Sequence, residues 1–318
     1  MKQTAVQFGP GEALVGVITE PEAAGDGRLP AFVFLNAGVT HRVGPSGLYV
    51  RLARALAEEG FASLRFDFSG IGDSWVRTDD LPPGEAVFAE VRDALDFLQR
   101  TRGIDTFVLI GICSGATIAY FTAVDDRRVT GLALINAQGH LHGIDPERGA
   151  RLRKKTVTRH SWRIALRSSF RGKNWRKALQ GKLDPRRVLG MMIGQPLAAL
   201  FGRKQPAEAL PGGPSPGGPR PPHDAVAELR GFAERGVRLL HLYCEGDEGL
   251  DYFHVVLGGD LGQVTAGDLV RYEIITGANH VFTLMWSQDR LIRSVRDWAC
   301  TCKTPAQAPI REAGASSA

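Results

Sequence analysis

The sequence predicts an α/β protein in which a mostly parallel central sheet is covered by helices on both faces. Short apolar segments alternate with segments that repeat apolar residues at helical spacing, and this alternation is typical of parallel sheets with crossover helices. The chain has 318 residues, enough for one large domain with a sizeable core and an insertion. Its hydrophobic content of 43% is ordinary for a globular protein.

The predicted elements alternate along most of the chain. Strands are predicted at residues 4–9, 13–19, 31–36, 62–67, 106–111, 130–135, 237–244 and 269–275. Helices are predicted at residues 47–59, 86–101, 115–123, 224–235 and 287–300. The first helix illustrates the reason, because Leu48, Leu52 and Leu56 recur every four residues and therefore share one helical face.

A five-residue motif after the fifth predicted strand indicates a catalytic nucleophile. Residues 111–115 read Gly-Ile-Cys-Ser-Gly and lie between an apolar run and a helical segment. This is the setting of a nucleophile elbow, whose usual pattern is Gly-x-Ser-x-Gly. Cys113 takes the middle position, which predicts a thiol nucleophile and a thioester intermediate; a plain buried cysteine is the alternative. We expect Gly111 and Gly115 to be required because a Cβ there would clash with the neighbouring strand or helix.

A carboxylate and an imidazole follow in the chain order that such elbows use. The strand predicted at 237–244 runs into Glu245-Gly246-Asp247, and His280 follows the strand predicted at 269–275. A thiol nucleophile needs an imidazole that takes its proton or pairs with the thiolate, and the imidazole needs a carboxylate that orients it. We therefore predict a triad of Cys113, Asp247 and His280. Glu245 and Glu248 lie near the predicted acid, and Asp251 is held in reserve for its role.

With these residues the chain resembles the α/β-hydrolase superfamily over nearly all of residues 1–300. It is similar to members with a cysteine nucleophile, a feature shared with dienelactone hydrolases and polyhydroxyalkanoate synthases, and to the serine aminopeptidase-like hydrolases and acyltransferases. The segment 31–38 ends in Asn-Ala-Gly, where the family often has His-Gly-x, and residues 66–74 resemble its Asp-x-x-Gly-x-Gly-x-Ser loop.

The resemblance also implies an oxyanion hole made of two backbone N–H groups. One belongs to Ser114, and the other to Gly38 or Val39. We expect the loop at 67–74 to be a glycine-rich turn without direct chemistry. We also expect His41 and Arg42 to be surface loop residues, although they could line an acyl entrance.

We predict a core at residues 1–139 and 223–302, a basic helical lid with a Pro/Gly-rich linker at 140–222, and a disordered tail at 303–318. The resemblance implies the lid, whereas the Pro/Gly content predicts the linker and the Ala, Pro and Ser content predicts the tail. Residues 148–204 contain 17 Lys or Arg and a single acidic residue, Asp184. Because the whole chain has a net charge of +5, the remainder of the molecule is net acidic. The lid also contains Trp162, Phe170 and Trp175.

The basic segment is compatible with several partners. Coenzyme A or an acyl carrier protein is favoured as the carrier of the acyl substrate, since guanidinium groups suit phosphate and acidic surfaces. A helical lid that is merely solvated and contact with a membrane surface remain alternatives. Nucleic acid is disfavoured, because the rest of the chain is acidic and has no known binding motif.

Cofactors and membrane spans are not expected. No Cys/His cluster has the spacing of metal ligands, and no segment has the length and apolar character of a membrane span or a signal peptide. Four cysteines fit a reducing, cytoplasmic location. The sequence does not predict the oligomeric state.

These features predict an enzyme that cleaves or transfers acyl groups of esters or thioesters through an acyl-Cys113 intermediate. They do not choose between water and another nucleophile as the final acceptor. The alternative is a non-catalytic protein of the same fold whose basic lid docks an acidic partner. Competent residue types at all three triad positions favour the enzyme.

Overall fold

The computed structural model describes residues 1–22, 29–137, 225–250, 253 and 269–304. The chain divides into two units, residues 1–149 with 212–318 and residues 150–211, and only the first contains described residues. The predicted lid and linker at 140–222 and residues 305–318 of the predicted tail therefore lie outside the described residues.

The described strands form one mostly parallel sheet. They are β1 (Lys2–Phe8), β2 (Leu14–Glu20), β3 (Ala31–Leu35), β4 (Ser63–Phe66), β5 (Phe107–Ile112), β6 (Val129–Ile135), β7 (Arg238–Cys244) and β8 (Val270–Ile275). Their order across the sheet is β1-β2-β4-β3-β5-β6-β7-β8. The pairs β1–β2 and β2–β4 are antiparallel, and the remaining pairs are parallel.

Helices connect and cover these strands. They are α1 (Leu48–Glu58), α2 (Pro83–Arg102), α3 (Ser114–Asp125), α4 (Ala225–Glu234) and α5 (Met285–Ala299). The predicted fold class is confirmed, and most element ends agree within two residues; the largest shift is at α2, which begins at Pro83 instead of residue 86. A short 3₁₀ turn, Cys300–Lys303, follows α5. Across the described ranges, no helix is both long and apolar enough to cross a bilayer.

The core lies on both faces of the sheet, as strand β5 illustrates. Its side chains alternate, so that Leu109 packs with residues of α2 and α3 while Ile110 packs with residues of α1 and α5. All six residues of β5 are buried. A strand covered on both faces can present functional groups only beyond its ends, and Cys113 follows directly after the carboxyl end of β5.

The strand register brings several carboxyl ends to one edge of the sheet. Leu35 pairs with Gly111, Ile112 pairs with Ile135, and Cys244 pairs with Ile275. Loops that leave β3, β5, β6, β7 and β8 therefore start next to one another, at the edge where open α/β sheets bind ligands.

Candidate active site

Cys113 occupies a sharp turn between β5 and α3. Its backbone has φ 56° and ψ −116°, a conformation that residues other than glycine rarely adopt. The Cys113 N–H donates to Ile135 O at 3.0 Å, and its carbonyl accepts from Ala116 N at 3.1 Å and Thr117 N at 3.2 Å. Three backbone hydrogen bonds thus hold the turn that directs the thiol above the sheet edge.

The two flanking glycines are required by close backbone approaches. A Cβ on Gly111 would lie 2.3 Å from the carbonyl carbon of Gly115. A Cβ on Gly115 would lie 2.6 Å from Leu35 O and 2.8 Å from Asn36 O. Neither neighbour is a flexible side chain, so the expected glycine requirement agrees with the packing of α3 against β3.

Asp247 and His280 meet on the loops that follow β7 and β8. His280 Nδ1 lies 2.5 Å from Asp247 Oδ2, and the Asp247 side chain is only 3% exposed. Gly249 N donates to the other carboxylate oxygen at 2.8 Å. Of the neighbouring acids left open by the sequence, Glu245 accepts from Gly277 N, and Asp251 lies outside the described residues. Among the described carboxylates, Asp247 is therefore the one that bonds the His280 ring.

His280 connects this carboxylate to the elbow. The Cys113 side chain also interacts with this ring and contributes to its raised pKa. The hydrogen bond with Asp247, followed by the interaction with the Cys113 side chain, raises the pKa of His280 to about 10. His280 thus lies between Asp247 and Cys113 and interacts with both.

A second thiol contacts the same carboxylate. Cys244 Sγ lies 3.7 Å from Asp247 Oδ2 and donates to it. Burial and then the charge of Asp247 raise the pKa of Cys244 to about 12, so this thiol stays neutral. Because its sulfur is buried and protonated, Cys244 donates to Asp247 and is a poor nucleophile.

Asn136, at the carboxyl end of β6, connects the loops that follow β7 and β8 and was not singled out from the sequence. Its Nδ2 donates to His280 O at 2.6 Å, and its Oδ1 accepts from Cys244 N at 2.8 Å. The residue is fully buried with φ 48°, an unusual value outside glycine. An asparagine directly after an apolar strand is the only sequence signal that could have indicated this role.

The loop after β3 lies against the start of α3. Gly38, with φ 54°, donates its N–H to Ser114 Oγ at 2.8 Å. The Ser114 N–H belongs to the first residue of α3 and has no acceptor within the helix. Both residues predicted for the oxyanion hole are therefore adjacent, but the Gly38 N–H is bonded to a side chain instead of facing an empty site.

A buried carboxylate after β4 holds this same loop. Asp67 Oδ1 accepts from Arg42 N at 2.5 Å and from Asn36 Nδ2 at 3.4 Å, and the Arg42 guanidinium pairs with Asp67 Oδ2 and Asp73. Asn36 Nδ2 also donates to Thr40 O at 2.7 Å. The loop at 67–74, expected to lack direct chemistry, thus anchors the Gly38 loop, and Arg42 is paired instead of free at the surface.

A cavity of about 400 Å³ lies elsewhere on the described part of the chain. Its walls come from the β1–β2 turn and the segment after β4, including Leu14, Ser69, Trp75 and Arg77. Cys113, Asp247 and His280 do not line it, so its position gives no information about the triad.

Comparison with known proteins identifies the fold family. A sequence profile described as alpha/beta hydrolase fold matches residues 30–234, more than half of the chain. No curated protein sequence matches significantly.

Solved structures agree in fold at low sequence identity. An esterase from Pyrococcus furiosus has a TM-score of 0.55 and 15% identity, over 95% of this chain and 91% of that protein. A dienelactone hydrolase from Anabaena variabilis has a TM-score of 0.50 and 14% identity, over 94% and 97% respectively. An alpha-beta serine hydrolase homologue from Coxiella burnetii has a TM-score of 0.50 and 14% identity, over 92% and 97%. At these identities the similarity shows a shared fold.

Proposed function

Because the chain belongs to the family with the alpha/beta hydrolase fold, we propose that it is an enzyme that cleaves or transfers acyl groups of esters and thioesters. Cys113 is the nucleophile, His280 the general base and acid, and Asp247 the residue that orients the imidazole. This assignment also makes it a cysteine-nucleophile member of the family, similar to the serine aminopeptidase-like enzymes.

The observation that carries the proposal is the position of His280 between two partners. Its Nδ1 contacts Asp247 Oδ2 at 2.5 Å, and the Cys113 side chain is the next largest cause of its raised pKa. A nucleophile, a base within hydrogen-bonding reach and a third group that orients the base form the arrangement that nucleophilic catalysis requires. The strained turn at Cys113 supports the same role, because strain of this kind concentrates at functional sites.

The reaction follows from this arrangement. The Cys113 sulfur attacks the substrate carbonyl carbon while His280 holds the thiol proton, and a tetrahedral oxyanion forms. Collapse of this intermediate breaks the bond to the leaving alcohol or thiol, which receives the proton from His280, and leaves an acyl thioester on Cys113. Water or another nucleophile then attacks the thioester with His280 as base, and the thiol is restored.

Two lines of support bear on the substrate class. The similar structures include an esterase and a dienelactone hydrolase, which supports ester substrates. The 17 basic residues within 148–204 support a thioester carried on coenzyme A or an acyl carrier protein, because arginine and lysine bind phosphate. Exchange between two thioesters is nearly isoenergetic, so a thiol nucleophile suits such substrates.

The test is acylation by a panel of acyl-coenzyme A and acyl-pantetheine thioesters, followed by intact-mass measurement. We expect a mass increase equal to one acyl group in the wild type and none in Cys113→Ala. Cys300→Ala is the matched control, because Cys300 is an exposed thiol away from the site and could be acylated without enzymatic assistance. It should retain the adduct.

The opposite result would redirect the assignment. If the wild type shows neither an adduct nor turnover of thioesters, esters or lactones, the enzyme proposal fails. The non-catalytic binding protein with the same fold would then be the better description.

A further inference from the structure

The Gly38 N–H, expected as the second oxyanion-hole donor, is bonded to the side chain of Ser114. Ser114 Oγ accepts the Gly38 N–H at 2.8 Å, so that N–H points at a hydroxyl. The hydroxyl has one proton of its own, and no acceptor for it is found among the described residues. A donor that lacks a partner therefore lies one residue from the nucleophile.

The Gly38 loop is held where it is by several contacts. Arg42 and Asn36 both bond the fully buried carboxylate of Asp67, and Gly115 packs directly against the end of β3. These contacts leave little freedom for Gly38 to move past the hydroxyl toward the substrate. The Gly38 N–H thus stays bonded to the Ser114 hydroxyl.

We propose that Ser114 supplies both donors of the oxyanion hole, its backbone N–H and its side-chain O–H, with the Gly38 N–H bonded behind the hydroxyl. This inference rests on the proposed acyl transfer. It differs from the expectation that Gly38 donates to the oxyanion directly. The hydroxyl keeps its proton throughout, so the covalent steps at Cys113 are unchanged.

The order of the hydrogen bonds favours this assignment. An N–H that donates to a hydroxyl oxygen polarises it, and the O–H becomes a stronger donor to the next acceptor. A hydroxyl that donates to an anionic oxygen also forms a short, charge-assisted bond. The position is suitable, because Ser114 is the first residue of α3: its own N–H has no acceptor within the helix, and the helix dipole favours negative charge there.

Two reactions of the Cys113 thiol, acylation and alkylation, distinguish oxyanion stabilisation by Ser114 from a purely structural role. Acylation by p-nitrophenyl acetate passes through an oxyanion, whereas alkylation by iodoacetamide does not. For Ser114→Ala we expect kcat/KM with p-nitrophenyl acetate to fall about 100-fold, a typical loss for one oxyanion donor. The alkylation rate of Cys113 should change by less than about twofold, because the Cys113–His280 pair is untouched.

Matched variants complete the design. Ser114→Thr keeps a hydroxyl and should retain most of the activity, and Ser114→Gly provides a second deletion if the alanine variant does not fold. Thr122→Val removes another hydroxyl from α3, one that is buried without a hydrogen-bond partner among the described residues, and should leave both rates unchanged.

Two outcomes would overturn the assignment of Ser114 and leave the proposed function intact. Acylation of Ser114→Ala at or above the wild-type rate would mean that a backbone N–H of Gly38 or Val39 suffices. Equal losses in acylation and alkylation would mean that Ser114 supports the nucleophile instead of the oxyanion. If instead the wild type forms no acyl-Cys113, the proposed function fails, and the donor assignment fails with it.

Discussion

Cys113 has a backbone conformation that most side chains avoid, and its neighbours explain how the chain maintains it. A strained φ/ψ pair costs about 1–3 kcal/mol. Backbone hydrogen bonds to Ile135, Ala116 and Thr117 offset this cost, and the glycines on either side remove the steric obstacles. The strain has a use, because the turn places the thiol beside His280 and next to the start of α3.

The raised pKa of His280 makes a prediction about stability and pH. The contact with Asp247 is its largest cause, so Asp247→Asn should lower the pKa toward the ordinary value of 6.5. A pKa that is higher in the folded than in the unfolded state stabilises the protein fully below the unfolded value, and this stabilisation is lost as pH rises through about 10. The difference in unfolding free energy between wild type and Asp247→Asn should therefore be largest near pH 6 and shrink toward pH 10.

Urea denaturation at a series of pH values measures this difference. Glu248→Gln serves as the control, because this exposed carboxylate lies next to the acid in sequence and should give no comparable trend. A difference for Asp247→Asn that stays constant from pH 6 to pH 10 would contradict the proposed pairing.

At the scale of the elements, the site depends on adjacent strand ends. Strand β6 lies between β5, which carries the elbow, and β7, which leads to Asp247. Asn136 extends from β6 and bonds both the His280 carbonyl and the Cys244 N–H. One side chain thus connects the loops that carry Asp247 and His280.

Asn136→Gly isolates this side chain, because glycine adopts the same positive φ without strain. A buried donor and an acceptor lose their partner, so we expect the unfolding free energy to fall by about 2 kcal/mol. The kcat/KM for a reactive ester should fall about tenfold, by analogy with other misplaced catalytic groups, and its pH profile should shift. If stability falls but both the pH profile and kcat/KM are unchanged, Asn136 supports the fold only.

The elements were largely predictable because each has a local signal. Apolar runs marked β5 and β7, and the repeated leucines marked α1. The start of α2 at Pro83 was missed, although proline is common in the first turn of a helix. Cys113, Asp247 and His280 each follow the carboxyl end of a predicted strand. Because the carboxyl ends of parallel strands lie at one edge of a sheet, the sequence also predicted that these residues are close together.

The contacts that organise the site could not be predicted. Asn136 and His280 are separated by 144 positions, and Gly38 and Ser114 by 76. No periodicity relates such pairs, since each depends on the register of neighbouring strands and on loop conformation. Cys244 likewise has the sequence setting of an ordinary strand residue, and its contact with Asp247 depends on the conformation of the turn after β7.

For the whole molecule, the distribution of charge has the clearest consequence for function. Residues 148–204 carry 17 Lys or Arg while the remainder of the chain is net acidic. We expect the KM for acyl-coenzyme A to rise about tenfold between 50 and 500 mM NaCl, because salt screens attraction between separated charges. The KM for the same acyl group on uncharged N-acetylcysteamine should change less than about twofold. An equal salt response of the two thioesters would argue against recognition of the carrier by charge.

The most direct test of an acyl-Cys113 intermediate is to locate the acyl group on the acid-quenched enzyme. Peptide mass mapping should place it on Cys113, and neutral hydroxylamine should release it, because a thioester is cleaved under conditions that leave an oxyester intact. An adduct on Ser114 that resists hydroxylamine would contradict the assignment of the nucleophile. Turnover without any covalent adduct under rapid quenching, and unchanged in Cys113→Ala, would contradict covalent catalysis itself.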